Sequence, residues 1–342
     1  MNHSQPSKHV RSRALMGFSP LCHKLGINPL QLLASQGIPA AVLRSVDLPL
    51  PHDSLPRLLN HAATLSHHPL FGFELASHQG LITFGPLGLL AAQQGTVGDS
   101  VGVIQKYLHL HSDGAQLRLE SQGQSSLLYF DLTPNPTLEL VQLTELSLML
   151  GYRVLSELAP AWADQIELLF QHDLRAPIAS YREFSRASLH FKQPGNALRL
   201  PTAMLTSPPY PAQPTLKQYL EEFLSQASRG HQQPLSARVS RLIHELIPLG
   251  EATLPTIAPM LGMNVRGLQR ALKQSGTEFR SLMDEARFGI ARSELEQNRS
   301  ITDVALNLGY SELSAFSRAF KRWSGVAPQH WRQVSQVSEY SR

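Results

Sequence analysis

The last third of the chain contains an internal repeat, which restricts the possible folds more than any other feature of the sequence. Apolar residues at positions i, i+3, i+4 and i+7, followed by a glycine, occur twice, 47 residues apart. This pattern predicts a short helix with one buried stripe, ended by a residue that tolerates positive φ. The two copies are Leu254, Ile257, Ala258, Leu261 and Gly262, and Ile301, Val304, Ala305, Leu308 and Gly309.

A second predicted helix follows each glycine and is also repeated, with an offset of 48 residues. Residues three and four positions apart share a helix face, so each helix has one polar and one apolar face. The apolar faces carry Val265, Leu268 and Leu272, and Leu313, Phe316 and Phe320. The polar faces carry Arg266, Gln269, Arg270 and Lys273, and Ser314, Ser317, Arg318 and Lys321. Each unit is therefore predicted to be a helix-turn-helix, with Asn264 and Ser311 at the N-caps of the second helices.

The second helix of such a unit can enter the major groove of DNA. Arginine can pair with guanine, glutamine with adenine and serine with several bases, and the two lysines lie where phosphate contacts are expected. A solvated helix face is the alternative interpretation. A long helix predicted over residues 277–297 joins the units and measures about 31 Å at ~1.5 Å per residue. Successive major-groove segments lie ~34 Å apart, so this helix could hold two reading helices one DNA turn apart.

The basic residues are concentrated in the same region. Residues 1–234 contain 16 basic and 16 acidic residues, whereas residues 235–342 contain 14 and 10, so the net charge of +4 arises from the last third. A basic module beside a neutral one favours a polyanionic partner. The single cysteine, Cys22, excludes a disulfide within the chain and a multi-cysteine zinc site. Because no known catalytic motif is present, we expect no enzyme activity, cofactor or metal.

The preceding residues 21–200 are predicted to form an α+β domain. One predicted helix covers residues 99–110. Another covers 137–158, whose leucines suit either the core or, through Leu146 and Leu150, a dimer surface. Short strands are predicted at 116–120, 126–131, 165–171, 187–192 and 197–200, of which the first two form a hairpin.

The predicted fold is thus an α+β domain followed by an all-α domain with two helix-turn-helix units joined by a long helix. Prolines between Pro201 and Pro214 indicate a linker, and a helix over 215–228 follows it. The predicted order is a tail (1–20), the α+β domain (21–200), the linker (201–234), the all-α domain (235–334, with units at about 254–275 and 301–324) and a tail (335–342).

Histidine and hydropathy patterns give two further expectations. The pairs His67–His68 and His109–His111 have no cysteine partner, so ordinary surface histidines are the better interpretation than a metal site. The apolar segment 81–92 is too short for a bilayer, which needs roughly 20 residues, and no long apolar segment follows the basic N-terminus. We therefore expect a cytoplasmic protein.

Residues 235–334 resemble the DNA-binding domain of the AraC/XylS transcription regulators. The motifs are Ile257-Ala258-x-x-Leu261-Gly262-Met263, Leu268-Gln269-Arg270, Gly276-Thr277-x-Phe279, Ile301-x-x-Val304-Ala305-x-x-Leu308-Gly309-Tyr310 and Phe316-Ser317-Arg318-Ala319-Phe320-Lys321-Arg322-Trp323-Ser324-Gly325-x-x-Pro328-x-x-Trp331-Arg332. The region 21–200 is similar to the arabinose-binding-like sensor domain of one AraC branch. Its motifs are Phe84-Gly85-Pro86-Leu87-Gly88, Val97-Gly98-Asp99-Ser100, Tyr107-Leu108-His109-Leu110-His111-Ser112-Asp113-Gly114 and Phe191-x-x-Pro194-x-Asn196-Ala197-Leu198.

The resemblance implies a transcription activator whose sensor domain binds a small-molecule effector and forms a homodimer. Its expected partners are double-stranded operator DNA, the effector and RNA polymerase. The expected DNA contacts are the two polar faces together with Asn264 and Arg322, where Arg318 serves either bases or, alternatively, structure or a phosphate. Pro259 and Gly267 depart from a regular helix, at about 3 and 1 kcal/mol respectively, so the first unit is expected to be looser.

Two other functions remain open at this stage. A ligand-independent architectural DNA binder would share the helix-turn-helix units but would not explain the large neutral domain. A DNA-directed enzyme fusion would need an activated thiolate, for which Cys22 beside His23 and Lys24 is the only candidate.

Overall fold

The computed structural model describes residues 8–209 except 46, 134 and 136, residues 220–227 except 222 and 226, and residues 233–332. The chain divides into two compact units, Met1–Gln232 and Gln233–Arg342. The described residues between 220 and 227 are helical, and the rest of the helix predicted over 215–228 lies outside the described residues. The predicted C-terminal tail also lies outside them.

The first unit combines a five-stranded sheet with nine helices up to residue 205, in addition to the helical residues between 220 and 227. The strands are β1 His9–Arg11, β2 Pro49–Pro51, β3 Ala115–Gln122, β4 Ser125–Leu132, β5 Glu167–Leu169, β6 Ser188–His190 and β7 Ala197–Pro201. The helices are α1 Phe18–Lys24, α2 Pro29–Ser35, α3 Ser54–Leu65, α4 Phe71–Ser77, α5 Pro86–Ala92, α6 Val97–Tyr107, α7 Val141–Leu158, α8 Ile178–Arg182 and α9 Thr202–Leu205. Short 3-10 helices cover Ser12–Leu15, Ala40–Leu43, Leu81–Phe84, Leu108–Leu110 and Pro160–Gln165.

The larger sheet has the strand order β3-β4-β7-β5-β6, and β1 pairs with β2 separately. The predicted hairpin is present: β3 and β4 are antiparallel, with Gln122 opposite Ser125, and Gly123 turns the chain at a φ of 66°. Residues 8–20 are not wholly a tail as predicted. Val10 is 3% exposed and pairs with β2, because this apolar residue completes the core of the first unit.

Helix α7 passes through the centre of the first unit and packs against α3 and α4. It begins at Val141, four residues later than predicted, and it has buried residues on every side. Leu146 is 3% and Leu150 is 7% exposed. The leucine density therefore serves the core, and the dimer-surface interpretation of this helix is wrong.

The second unit has six helices before residue 325, and residues 328–332 are also helical. The six helices are α10 Leu235–Leu246, α11 Leu254–Met260, α12 Val265–Gln274, α13 Phe279–Glu296, α14 Ile301–Asn307 and α15 Leu313–Ser324. Both glycine turns close in the same way: Met263 N donates to Ala258 O and Tyr310 N donates to Ala305 O, each at 2.9 Å. The glycines have φ values of 66° and 79°, as the repeat predicts.

Three local predictions for the second unit need correction. Ser311 is not the N-cap of α15, because that helix begins one residue later, after Glu312, which makes no side-chain cap hydrogen bond. Leu313 is 45% exposed and so lies outside the core, since it occupies the first turn of that helix. Helix α13 has 18 residues, or about 27 Å, and is shorter than the predicted connector.

Candidate nucleic-acid interface and sensor cavity

The first candidate reading helix, α12, is held by its N-cap and by two buried leucines. Asn264 Oδ1 accepts a hydrogen bond from Gly267 N at 2.7 Å, which satisfies one of the unpaired N–H groups of the first turn. A Cβ atom on Gly267 would lie 3.1 Å from the same oxygen, so glycine leaves room for the cap. Leu268 and Leu272 are fully buried and fix which face of the helix points outward.

The outward face of α12 is polar and basic, as predicted. Arg266, Gln269, Arg270 and Lys273 are all exposed. None of them makes an ion pair or a side-chain hydrogen bond with another residue in the part of the chain that the structure describes. Their guanidinium, amide and ammonium groups are therefore available to bases and phosphates, at no cost in broken ion pairs.

Helix α15 presents a similar but less uniform face. Arg318 and Lys321 are exposed, Ser317 is half-buried, and the Ser314 hydroxyl donates to Glu312 Oε2 at 3.2 Å. Phe316 and Phe320 are fully buried on the opposite side. These positions agree with the predicted orientation of the helix, and their contacts with DNA stay a prediction.

Arg322 occupies a different environment from the other predicted contact residues. Its Nη2 atom lies 3.2 Å from Asp284 Oδ2 on α13, and its guanidinium lies 5.9 Å from the Trp323 ring centroid. Contact with DNA would have to compete with this ion pair. Arg322 thus joins two helices, and its assignment as a DNA contact is the least supported of the set.

An aromatic cluster fixes α15 to the connecting helix. The Phe288 ring on α13 lies 5.7 Å from Phe320, 6.3 Å from Trp323 and 6.0 Å from Trp331, mostly in tilted or edge-on arrangements. Such pairs stabilise packing beyond the burial of area. Both tryptophans are therefore packing residues. This cluster packs α15 against α13.

Pro259 does not interrupt the first helix of the first helix-turn-helix unit. It lies near the end of α11, where its missing N–H removes a single helical hydrogen bond. Ile257, Ala258 and Met260 around it remain fully or almost fully buried. Helix α11 of the first helix-turn-helix unit is therefore formed. Its bounds give no sign of the looseness that was expected.

The first unit contains an apolar cavity, partly open to solvent, that lies between α6, α7 and the β3–β4 hairpin and has a volume of about 90 Å³. Its apolar lining consists of Val10, Ala14, Leu55, Phe84, Val101, Ile104, Leu108, Ala115, Leu117, Leu128, Phe130, Leu132, Leu143, Leu146, Leu150, Gly151, Val154 and Leu155. The polar lining residues are His52, His111, Ser112, Gln116 and Ser147.

Two histidines form the polar end of this cavity. Burial lowers the pKa of His52, a residue that is 3% exposed. Burial and the nearby Arg11 and Arg13 lower the pKa of His111 to about 4. His111 is therefore an uncharged cavity residue at neutral pH, and its interpretation as an ordinary surface histidine is wrong. No sequence motif marks His52 as a cavity residue.

A buried acid lies on another face of α7. Glu145 is fully buried, and its Oε1 accepts a hydrogen bond from the Tyr181 hydroxyl at 2.6 Å. Burial raises the pKa of Glu145 to about 7, although Tyr181 and Arg175 act in the opposite direction. His172 Nε2 lies 3.8 Å from the same oxygen, and burial lowers the pKa of His172.

The structure offers little support for the enzyme alternative. Cys22 is fully buried, and burial raises the pKa of its thiol to about 12, the opposite of an activated thiolate. No group of three His, Cys, Asp or Glu side chains that could hold a metal occurs among the described residues. In the same part of the chain, no helix is both long and apolar enough to cross a membrane.

Two helix-turn-helix units with exposed polar or basic second helices, attached to a separate α/β unit with an internal cavity, define a DNA-binding transcription regulator. Residues 26–209 match the family described as the arabinose-binding domain of AraC transcription regulator, and residues 257–334 match a helix-turn-helix domain family. The chain belongs to the AraC family of transcription regulators, which confirms the resemblance inferred from its motifs.

Individual relatives cover nearly the whole chain. The chain is 29% identical over 332 residues to the HTH-type transcriptional regulator VirS of Mycobacterium tuberculosis, covering 96% of this chain and 98% of that protein. It is 25% identical over 283 residues to the ornithine utilization regulator of Pseudomonas aeruginosa, covering 81% and 83%. A solved structure, the transcriptional regulator CdpR from Pseudomonas aeruginosa, is 22% identical, covers 91% of this chain and 97% of its own, and has a TM-score of 0.43.

Proposed function

We propose that this regulator reads a specific operator through both helix-turn-helix units, with α12 and α15 in adjacent major-groove segments. The observation that carries the proposal is the pair of exposed faces around Arg270 and Arg318, each backed by fully buried apolar residues on its own helix. Buried packing fixes the orientation of each helix, which direct base recognition requires. Lys273 and Lys321 add phosphate contacts at the C-terminal end of each face.

The N-terminal unit senses a small molecule in this proposal. A ligand can change DNA binding only if it has different affinities for two states of the protein. Phe84 lines the cavity and also packs against a cluster that contains Leu220 and Leu224. Those two leucines belong to the segment that precedes the DNA-binding unit. A ligand in the cavity can therefore change how that segment packs.

The protein acts as a homodimer and activates transcription by contacting RNA polymerase at its promoter. Two copies place up to four reading helices on DNA, which raises the affinity for repeated half-sites through effective concentration. Because α7 lies in the core, the dimer surface is formed elsewhere on the first unit. A regulator of promoters works in the bacterial cytoplasm, where the chromosome lies.

Selection of duplexes from a random pool tests this function. Purified full-length protein is expected to enrich a motif with half-sites about one helical turn apart. Enrichment of no sequence, with equal affinity for all duplexes at moderate salt, would contradict specific reading and favour an architectural DNA binder. Sedimentation of the protein on the enriched duplex then tests whether two copies bind together.

A further inference from the structure

The cavity of the first unit has no charged residue in its described lining. A carboxylate or ammonium group inside it would lose its water without gaining a counter-charge, which is strongly unfavourable. Lys8 acts on His52, and Arg11 and Arg13 act on His111, but none of the three lines the cavity. Arg11 is also engaged elsewhere: its Nη1 donates to Asp47 O at 2.8 Å and its Nε donates to Leu110 O at 3.1 Å. His52 and His111 are uncharged at neutral pH because burial lowers both pKa values.

The cavity is also a poor match for a sugar. A pentose carries several hydroxyl groups, each of which needs a hydrogen-bond partner when it is buried. Only five polar residues line this cavity, and one of them, Gln116, is exposed to solvent. The remaining surface is made of aliphatic and phenyl groups, which favour an apolar ligand through the hydrophobic effect.

One fully buried polar atom of a lining residue lacks a partner. The Nδ1 atom of His52 has no hydrogen-bond partner among the residues that the structure describes, and the residue is only 3% exposed. The ring is held in place against Gly114, where a Cβ atom would come within 2.3 Å of His52 Nε2. A neutral imidazole nitrogen either donates or accepts, and a hydroxyl group can complement both forms.

We propose that the cavity binds an uncharged, largely apolar molecule that carries one hydroxyl group, and that His52 hydrogen-bonds this hydroxyl through Nδ1. This inference rests on the proposed sensing role of the first unit and specifies the chemistry of its effector. It differs from the sugar that the description of the matching domain family suggests.

Calorimetric titration of the full-length protein with four probes tests the ligand class. The probes are 2-naphthol, naphthalene, 2-naphthoate and L-arabinose. We expect 2-naphthol to bind at least about tenfold more tightly than 2-naphthoate, because the buried charge of the latter has no partner. L-arabinose is expected not to bind. Equal or tighter binding of 2-naphthoate or L-arabinose would overturn the proposal.

Variants of the full-length chain test the role of His52. We expect His52→Leu to weaken 2-naphthol binding about fivefold, the equivalent of one hydrogen bond, and to change naphthalene binding less than about twofold. His23→Leu, at an exposed helical position, is the matched control and is expected to bind both probes as the wild type does. Ser147→Leu fills the cavity and is expected to abolish both. It remains informative if His52→Leu fails to fold. Wild-type affinities in Ser147→Leu, or in a folded His52→Leu, would contradict the assignment.

Duplex binding separates this inference from the sensing role. The affinity for a duplex enriched by the wild type is measured by fluorescence anisotropy with and without 2-naphthol. Binding of 2-naphthol in the cavity with no change in duplex affinity would support the cavity chemistry and contradict sensing by this ligand class. A change of duplex affinity caused by L-arabinose in Ser147→Leu would preserve sensing and overturn the cavity assignment.

Discussion

The substitution Glu145→Gln gives a prediction whose size follows from the structure. Burial raises the pKa of Glu145 from 4.5 to about 7 in the folded chain. Between these pH values the folded chain holds a proton that the unfolded chain has released. The stability contributed by Glu145 is therefore fully present below about pH 4.5 and is lost as the pH rises to about 7.

The difference amounts to ~3 kcal/mol, at about 1.4 kcal/mol for each pH unit. Glutamine is neutral at every pH and retains an oxygen that can accept the Tyr181 hydrogen bond. We therefore expect Glu145→Gln to match the wild type near pH 4.5 and to be more stable by ~3 kcal/mol near pH 8. The buried histidines act oppositely: their lowered pKa values remove stability as the pH falls. The contributions of histidines that do not contact Glu145 cancel in the difference between variant and wild type, whereas that of His172, 3.8 Å from Glu145 Oε1, is included in it.

Urea unfolding followed by circular dichroism measures this difference from pH 4.5 to 8, with the two units fitted as separate transitions. The control Glu183→Gln replaces an exposed carboxylate close to Tyr181 and is expected to change the free energy of unfolding by less than about 0.5 kcal/mol. A constant difference between Glu145→Gln and the wild type over this pH range would refute the reasoning.

Three further predictions concern the second unit. Lys273→Ala should weaken binding to all duplexes alike and reduce the salt slope by about one, as measured by anisotropy; a change in base preference would contradict the phosphate role. Asn264→Ala should destabilise the unit by ~1 kcal/mol in urea unfolding, whereas Ser311→Ala should have little effect; equal losses would argue against the observed caps. Arg322→Ala should lower stability by up to ~1 kcal/mol while leaving base preference unchanged, because its ion pair with Asp284 is half exposed.

The helix-turn-helix units could be predicted from the sequence because their signals are local. A buried stripe, a glycine with positive φ and a polar outer face all recur within about 25 residues, and Leu268, Phe316 and Gly309 lie where the repeat indicates. Helix ends were less predictable. Both Ser311 and Glu312 are plausible before α15, and only the backbone geometry decides between them.

The sensor cavity could not be predicted, because its lining comes from residues between Val10 and Leu155 that only the fold brings together. His52 has no sequence motif around it, and its importance arises from burial beside Gly114. The burial of Glu145 could not be predicted from the sequence for a related reason. An acidic residue within a leucine-rich helix suggests an exposed face, whereas α7 is surrounded by other elements of the first unit.

The central claim is that α12 and α15 read separate halves of one operator. Selection from a random duplex pool with the wild type, Arg270→Ala and Arg318→Ala tests this claim most directly. We expect each variant to lose base preference in a different half-site, by about 1–3 kcal/mol of discrimination, with the halves about one helical turn apart. Enrichment of the wild-type motif by both variants, or loss of the same half-site in both, would contradict the account.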